Sequence, residues 1–224
     1  MKLWVKVCGL RTRADVETAA VAGAGAIGFV FAPSSRRVTP AEAACAAAAA
    51  PPHVRRVAVF LHPTQAEVDQ VLAGFHPDLI QTDAADFAAL RLPADLERLP
   101  VLRAGAAADA TVSPSTAATA LTGEIMAGTA RDSVRRWLVE GPRSGTGQVA
   151  DWRWAASLAT QGQVILAGGL HAGNVAAAVA AVRPWGIDVS SGVESAPGVK
   201  DAALIRSFLK AARLADGSGV AVDG

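Results

Sequence analysis

The chain reads as an α/β protein, a single (β/α)8 TIM barrel, and three observations lead there. Short β-branched, apolar runs alternate with alanine-rich amphipathic stretches along its length. The apolar runs number eight, and no linker sets off a second domain. The Gly-rich dinucleotide turn expected of an open doubly wound sheet, the other fold with this local pattern, is missing after the first run, where Cys8-Gly9-Leu10 stands. Strands alternating with helices of this length imply right-handed βαβ units on a parallel sheet. Eight such units in 224 residues fit a closed barrel.

In order, the expected strands are Trp4–Cys8, Ala26–Phe31, Arg56–Leu61, Leu79–Thr82, Val101–Ala104, Trp137–Glu140, Gln163–Ala167 and Ile187–Ser190. Amphipathic stretches lie between them, among them Arg13–Ala22, Thr64–Ala73, Trp152–Thr160, Ala172–Val182 and Ala202–Ala212. Residues Gly105–Thr129 mix Ala, Thr, Ser and Gly with little periodicity, so the fifth helix has no legible bounds. The barrel is expected over residues 1–214, with a frayed tail over 215–224.

Composition narrows the function. Hydrophobic residues make up 51% and charged residues 18%, which is globular, and a net charge of +1 offers no basic field for nucleic acid. The apolar start is broken by Lys6 and lacks a signal-peptide pattern. The longest apolar stretch, Ala41 to Pro52, is far short of the roughly 20 residues a membrane span needs. Neither the two cysteines, Cys8 and Cys45, nor the four scattered histidines form a metal-ligand spacing, so no metal and no cofactor is expected. A cytoplasmic setting follows from this cysteine usage, and monomer and homodimer are equally compatible with the chain.

In such barrels the chemistry sits at the C-terminal ends of the strands. Cys8-Gly9 ends the first strand, Glu140-Gly141 the sixth, Gly168-Gly169 follows the seventh, and Ser190-Ser191-Gly192 follows the eighth. The last two turns occupy the usual phosphate cradle, where glycines let backbone N–H groups approach an anion and Ser190 and Ser191 add hydroxyls. Ordinary tight-turn glycines are the plainer reading. Cys8 by itself is open to two readings, a small buried hydrophobe or a base. Lys6, two residues earlier, points to the same side, presents a cation that favours the thiolate, and has Asp188 as its candidate partner. Cys45, inside an alanine-rich helix, is expected to be a buried hydrophobe. Arg36, after the second strand, is either a solvated arginine or a fork for a carboxylate. Glu140, Asp188 and Asp83 are the carboxylates of this face, each readable as acid or as structural ion pair.

Taken in order, these blocks resemble the phosphoribosylanthranilate isomerase family. The matches are Val5-Lys6-Val7-Cys8-Gly9-Leu10, Gly28-Phe29-Val30-Phe31 with Ser34-Ser35-Arg36 and Val38, and Val57–Phe60. Gly145-Thr146-Gly147 with Asp151-Trp152 follows, then Leu166–Leu170, Asn174-Val175, Asp188–Glu194, Pro197-Gly198 and Lys200-Asp201. The resemblance implies an Amadori rearrangement of N-(5-phosphoribosyl)anthranilate, a phosphorylated small-molecule substrate of tryptophan biosynthesis. It implies Cys8 as the base that takes the C2 proton and Glu140 as the acid that protonates the ring oxygen. It further implies Arg36 at the anthranilate carboxylate, Asp188 as a substrate contact, and Gly168, Gly169, Ser190, Ser191 and Gly192 around the phosphate.

Two positions depart from the family pattern. The acid is usually aspartate, whereas Glu140 carries one more methylene. The family's Gln-Leu-His-Gly after the fourth strand is here Gln81-Thr82-Asp83-Ala84, which places a carboxylate by an anionic substrate that would repel it unless paired or protonated. The competing readings are a diverged paralogue that acts on another phosphorylated aminosugar, or one that binds such a ligand without turnover.

Overall fold

The structure, a computed structural model, describes residues 3–103, 136–141 and 151–217. The Gly105–Thr129 stretch, the Gly145-Thr146-Gly147 block and tail residues 218–224 lie outside the described residues. Eight parallel strands close into a barrel in chain order. They are β1 (Trp4–Cys8), β2 (Ala26–Val30), β3 (Arg55–Val59), β4 (Leu79–Asp83), β5 (Glu97–Arg103), β6 (Arg136–Glu140), β7 (Gln163–Leu166) and β8 (Gly186–Val189). The described helices are α1 (Arg13–Ala22), α2 (Pro40–Ala47), α3 (Gln65–Gly74), α4 (Trp152–Ala159), α5 (Val175–Val182) and α6 (Ala202–Ala215). A hairpin of β9 (Glu194–Ala196) and β10 (Val199–Lys200) is inserted between β8 and α6.

The helix starts are written in short-range chemistry. Thr12 with Asp15, Thr39 with Glu42 and Thr64 with Glu67 each form a reciprocal capping box, an arrangement in which a lost cap costs about 1 kcal/mol. Asp151 and Asp201 cap α4 and α6 by accepting two backbone N–H bonds each. The expected bounds shift where tertiary contacts compete. Helix α5 starts at Val175 rather than Ala172, because Asn174 folds back to accept from the His171 N–H and donate to the Gly169 carbonyl. Strand β5 starts at Glu97 and runs through Pro100, ahead of the expected Val101. A 3-10 turn, Ala84–Ala88, follows β4. Helix α6 continues to Ala215, past the expected end at Ala212.

Two apolar layers hold the barrel. The larger lies between strands and helices, with Val7, Ile27, Phe29, Ile80, Val139 and Phe208 in it. The smaller fills the barrel interior with Ala26, Val57, Leu79, Leu99, Val101, Leu138, Ile165 and Ala167. Strand alternation then assigns direction. Leu79, Leu99 and Leu138 face inward, so Gln81 and Asp83 on β4, Arg103 on β5 and Glu140 on β6 point the same way, at or near the mouth. Cys45 corrects an expectation: it is exposed, while Ala43, Ala46 and Ala47 form the buried side of α2. At about 100° per residue, position 45 falls outside that stripe.

Candidate active site

Cys8 ends β1 at the mouth, buried, with Lys6 one inward position below it. Lys6 is fully buried and donates to Asp188 on β8 at 2.9 Å, the partner its register position supplies. Gly28 on β2 makes this possible. A Cβ there would stand 3.0 Å from the Cys8 Sγ and 3.2 Å from the Lys6 Nζ, so the glycine leaves room for both. Lys6 was expected to favour the thiolate. Burial outweighs it: desolvation pushes the Cys8 thiol up and Asp188 adds to this, against the pull of Lys6 and Lys200. The ammonium of Lys6 is held above its ordinary value although burial opposes its charge, because Asp188 and Cys8 face it.

Arg36 follows β2, and its fork is turned onto a carboxylate of the protein itself. Its Nε and one terminal nitrogen donate to the two oxygens of Glu194 at 2.7 and 2.8 Å. Lys200 donates to the same Glu194 at 2.7 Å and to the Ser190 carbonyl at 2.9 Å. Burial alone would raise the Glu194 carboxyl, but the bonds from Arg36 and Lys200 hold it at about 2. Lys200 itself is depressed, burial outweighing Glu194. The β9–β10 hairpin brings these groups together: at its turn a Cβ on Gly198 would lie 2.4 Å from the Ser35 carbonyl, so the hairpin packs against the loop that carries Arg36.

The turns after β7 and β8 abut. Gly168 and Gly169 take φ of 88° and 63°, the left-handed region that side chains avoid. A Cβ on Gly192 would fall 1.9 Å from the Leu170 carbonyl, so only glycine lets the two turns meet. Ser191 opens a single 3-10 turn, Ser191–Val193. Ser190 donates its hydroxyl to the Cys8 carbonyl at 3.1 Å, which ties the turn after β8 to the end of β1.

Across the mouth, Asp83, Arg103 and Glu140 form a chain. Arg103 donates from Nε to both Asp83 oxygens at 3.0 Å and from a terminal nitrogen at 2.7 Å. Its other terminal nitrogen reaches Glu140 at 3.2 Å. Burial works against the Arg103 charge, and Asp83 with Glu140 more than offsets it. Asp83 is thus a paired carboxylate, which answers the repulsion that its place in the sequence raised. His62, from the loop after β3, sits against Asp86 at 3.0 Å and within 3.7 Å of Asp83. Its pKa is raised, chiefly by the hydrogen bond to Asp86.

The sequence reading missed Arg103, Glu194 and the anchoring role of Lys200. It also missed Gln81, buried in the barrel with an Oε1 that finds no partner among the described residues. Inward position on β4 and β5 was a usable signal for Gln81 and Arg103; Glu194 and Lys200 stood in family-like blocks, but nothing local named their partners. Among the described residues no group of His, Cys, Asp and Glu is placed to hold a metal ion, and no helix is long and apolar enough to cross a membrane.

Comparison with known proteins bears on this arrangement. Residues 5–211 match the family model described as N-(5'-phosphoribosyl)anthranilate (PRA) isomerase. A relative from Bordetella petrii, named N-(5'-phosphoribosyl)anthranilate isomerase, is 41% identical over 96% of this chain and 97% of its own. One of the same name from Pelobacter propionicus is 34% identical over 93% and 95%. Among solved structures, the phosphoribosyl anthranilate isomerase of Thermus thermophilus superposes with a TM-score of 0.73 at 31% identity, covering 96% of this chain and 99% of that one. Another, solved with reduced 1-(o-carboxyphenylamino)-1-deoxyribulose 5-phosphate, gives 0.71 at 26% identity, covering 94% and 98%. This chain belongs to the N-(5'-phosphoribosyl)anthranilate isomerase family.

Proposed function

We propose that the chain catalyses the Amadori rearrangement of N-(5'-phosphoribosyl)anthranilate to 1-(2-carboxyphenylamino)-1-deoxyribulose 5-phosphate, in tryptophan biosynthesis, with Cys8 as base and Glu140 as acid. The observation that carries the reading is a convergence: both residues close inward-facing rows at one mouth, beside the abutting turns of β7 and β8, in a chain of this family.

The Glu140 carboxyl gives its proton to the furanose ring oxygen, the C1–O bond breaks, and the nitrogen lone pair makes a C1=N iminium. The Cys8 thiolate then takes the C2 proton, and the C–H electrons form the C1=C2 bond of an enolamine, which ketonises to product. The phosphate sits on the backbone N–H groups of Gly168, Gly169, Ser191 and Gly192, with Ser190 tying that turn to β1. Arg36, its fork set by Glu194, offers its remaining N–H groups to the anthranilate carboxylate. Asp188, bound to Lys6 through one oxygen, meets the substrate through the other.

The acid must carry a proton while the base lacks one, yet a carboxyl is a stronger acid than a thiol pushed above its ordinary 9.0. The competent form is therefore a minor one, constant between the two titrations. The pH profile of kcat/KM is expected to show a plateau that falls on the acid side as both groups become protonated, and on the alkaline side only above the ordinary thiol range. The decisive experiment follows loss of substrate fluorescence with purified protein. Cys8→Ala and Glu140→Gln should each lower kcat/KM by about 10²–10⁴ with unfolding unchanged. Full activity in both variants would sink the assignment.

A further inference from the structure

We propose that Glu194 and Lys200 are positioning residues that join the two anion-reading ends of the site. The Glu194 carboxylate sets the Arg36 fork for the substrate's carboxylate and, through Lys200, pins the turn after β8 that takes its phosphate. This inference rests on the substrate placement proposed above, and it adds that one carboxylate holds both ends.

The hairpin supplies the link. Lys200 stands opposite Glu194 in the β9–β10 pairing, so ammonium and carboxylate meet across adjacent strands. Glu194 Oε1 accepts from Arg36 Nε at 2.7 Å and from Lys200 Nζ at 2.7 Å, while Oε2 accepts from the Arg36 fork at 2.8 Å. Lys200 also donates to the Ser190 carbonyl at 2.9 Å and, more weakly, to the Ser190 hydroxyl oxygen at 3.4 Å. These acceptors match the three N–H groups of an ammonium, and the lysine side chain is 1% exposed. Lys200 thus lies beside the phosphate turn with its donors committed to the protein, and it acts on the phosphate through the Ser190 backbone. The Ser190 carbonyl belongs to the same planar peptide as the Ser191 N–H, so holding the one aims the other in the opposite direction. The Ser191 N–H is among the donors placed on the phosphate. Arg36 is set in the same way: with Nε and one terminal nitrogen on Glu194, its last torsions are fixed, and its remaining N–H groups keep one direction.

Charge separates positioning from a plain counter-ion role. Glu194 is an anion beside two anion-binding ends, so by charge alone its removal would tighten both. Removal of a positioning group loosens both in spite of the charge gained. The test titrates inorganic phosphate and anthranilate separately into the purified protein, followed by backbone-amide NMR. Glu194→Gln should weaken both. Lys200→Met should weaken phosphate more than anthranilate, because Arg36 keeps its fork on Glu194. The double variant Glu194→Gln/Lys200→Met removes one charge of each sign and leaves the net charge unchanged. It should weaken phosphate about tenfold, roughly the worth of one charge-assisted hydrogen bond. In turnover, KM should rise more than kcat falls, since neither residue touches the reacting atoms. Tighter binding of both anions in Glu194→Gln overturns the inference, as does an undiminished phosphate affinity in the double variant. Should Glu194→Gln fail to fold with two cations stranded, the charge-balanced double variant decides. An unaltered chain that binds neither probe would overturn the substrate placement itself, a failure seen before any variant is made.

Discussion

The two sides of the barrel mouth are built from the same kinds of charge but in different surroundings. On the Cys8 side, Lys6, Lys200 and Glu194 are 0%, 1% and 4% exposed in their side chains and are tied into the ends of β1 and β8, the hairpin and the loop after β2. On the Glu140 side, Arg103, Asp83 and Glu140 keep 13–17% exposure and lie along three adjacent strand ends. The difference teaches that ion pairs of similar length do different work. Buried ones are structural commitments, because breaking one strands a charge in low dielectric. Those nearer water can be altered to retune a proton with less harm to the fold.

Breaking the Cys8 side should therefore have the largest effect on stability. Lys6→Met leaves Asp188 buried and alone and is expected to cost about 3–5 kcal/mol, read by urea unfolding. Arg103→Met should cost less than half as much. Equal losses would erase the contrast between the two sides.

Next comes the seam between the turns after β7 and β8. Gly192→Ala drives a Cβ into the Leu170 carbonyl, and the turns must part. The expected cost is about 1–3 kcal/mol, with KM rising more than kcat falls, since the phosphate is bound equally in ground and transition states. An unchanged KM would detach these turns from substrate binding.

A smaller effect sharpens the comparison by pH. Glu194 has a folded value of about 2 against an ordinary 4.5, so its contribution to stability is present above 4.5 and is lost as pH falls toward 2. Acid unfolding of Glu194→Gln should lack that component, narrowing its difference from the unaltered chain as pH drops through this window. A difference that stays constant with pH would mean that the Arg36 and Lys200 bonds do not discriminate the charged form.

The legible parts of this protein were those governed by near neighbours. The inward direction of Lys6 and Cys8, and Asp188 as partner of Lys6, follow from strand periodicity and from closing a barrel in chain order. Cys45 was misread because α2 is so rich in alanine that no apolar stripe distinguishes its buried side from its exposed one. The start of β5 was hidden by Pro100, which reads as an interruption. Arg103 stayed unseen because its meaning depends on two carboxylates, 20 residues before it and 37 after it in the chain. Arg36 was noticed, but the carboxylate its fork meets, Glu194, stands 158 residues away.

The sequence by itself determined the order of the strands and, for β1 and β6, the residue that ends the strand and the side on which it emerges. Periods of 2 and 3.6 residues are local properties of the backbone, so they are written in local spacing. Which charge meets which, and so which thiol resists losing its proton, was decided only by tertiary structure. Barrel closure and strand register set those distances, and burial sets the dielectric in which each pair must balance.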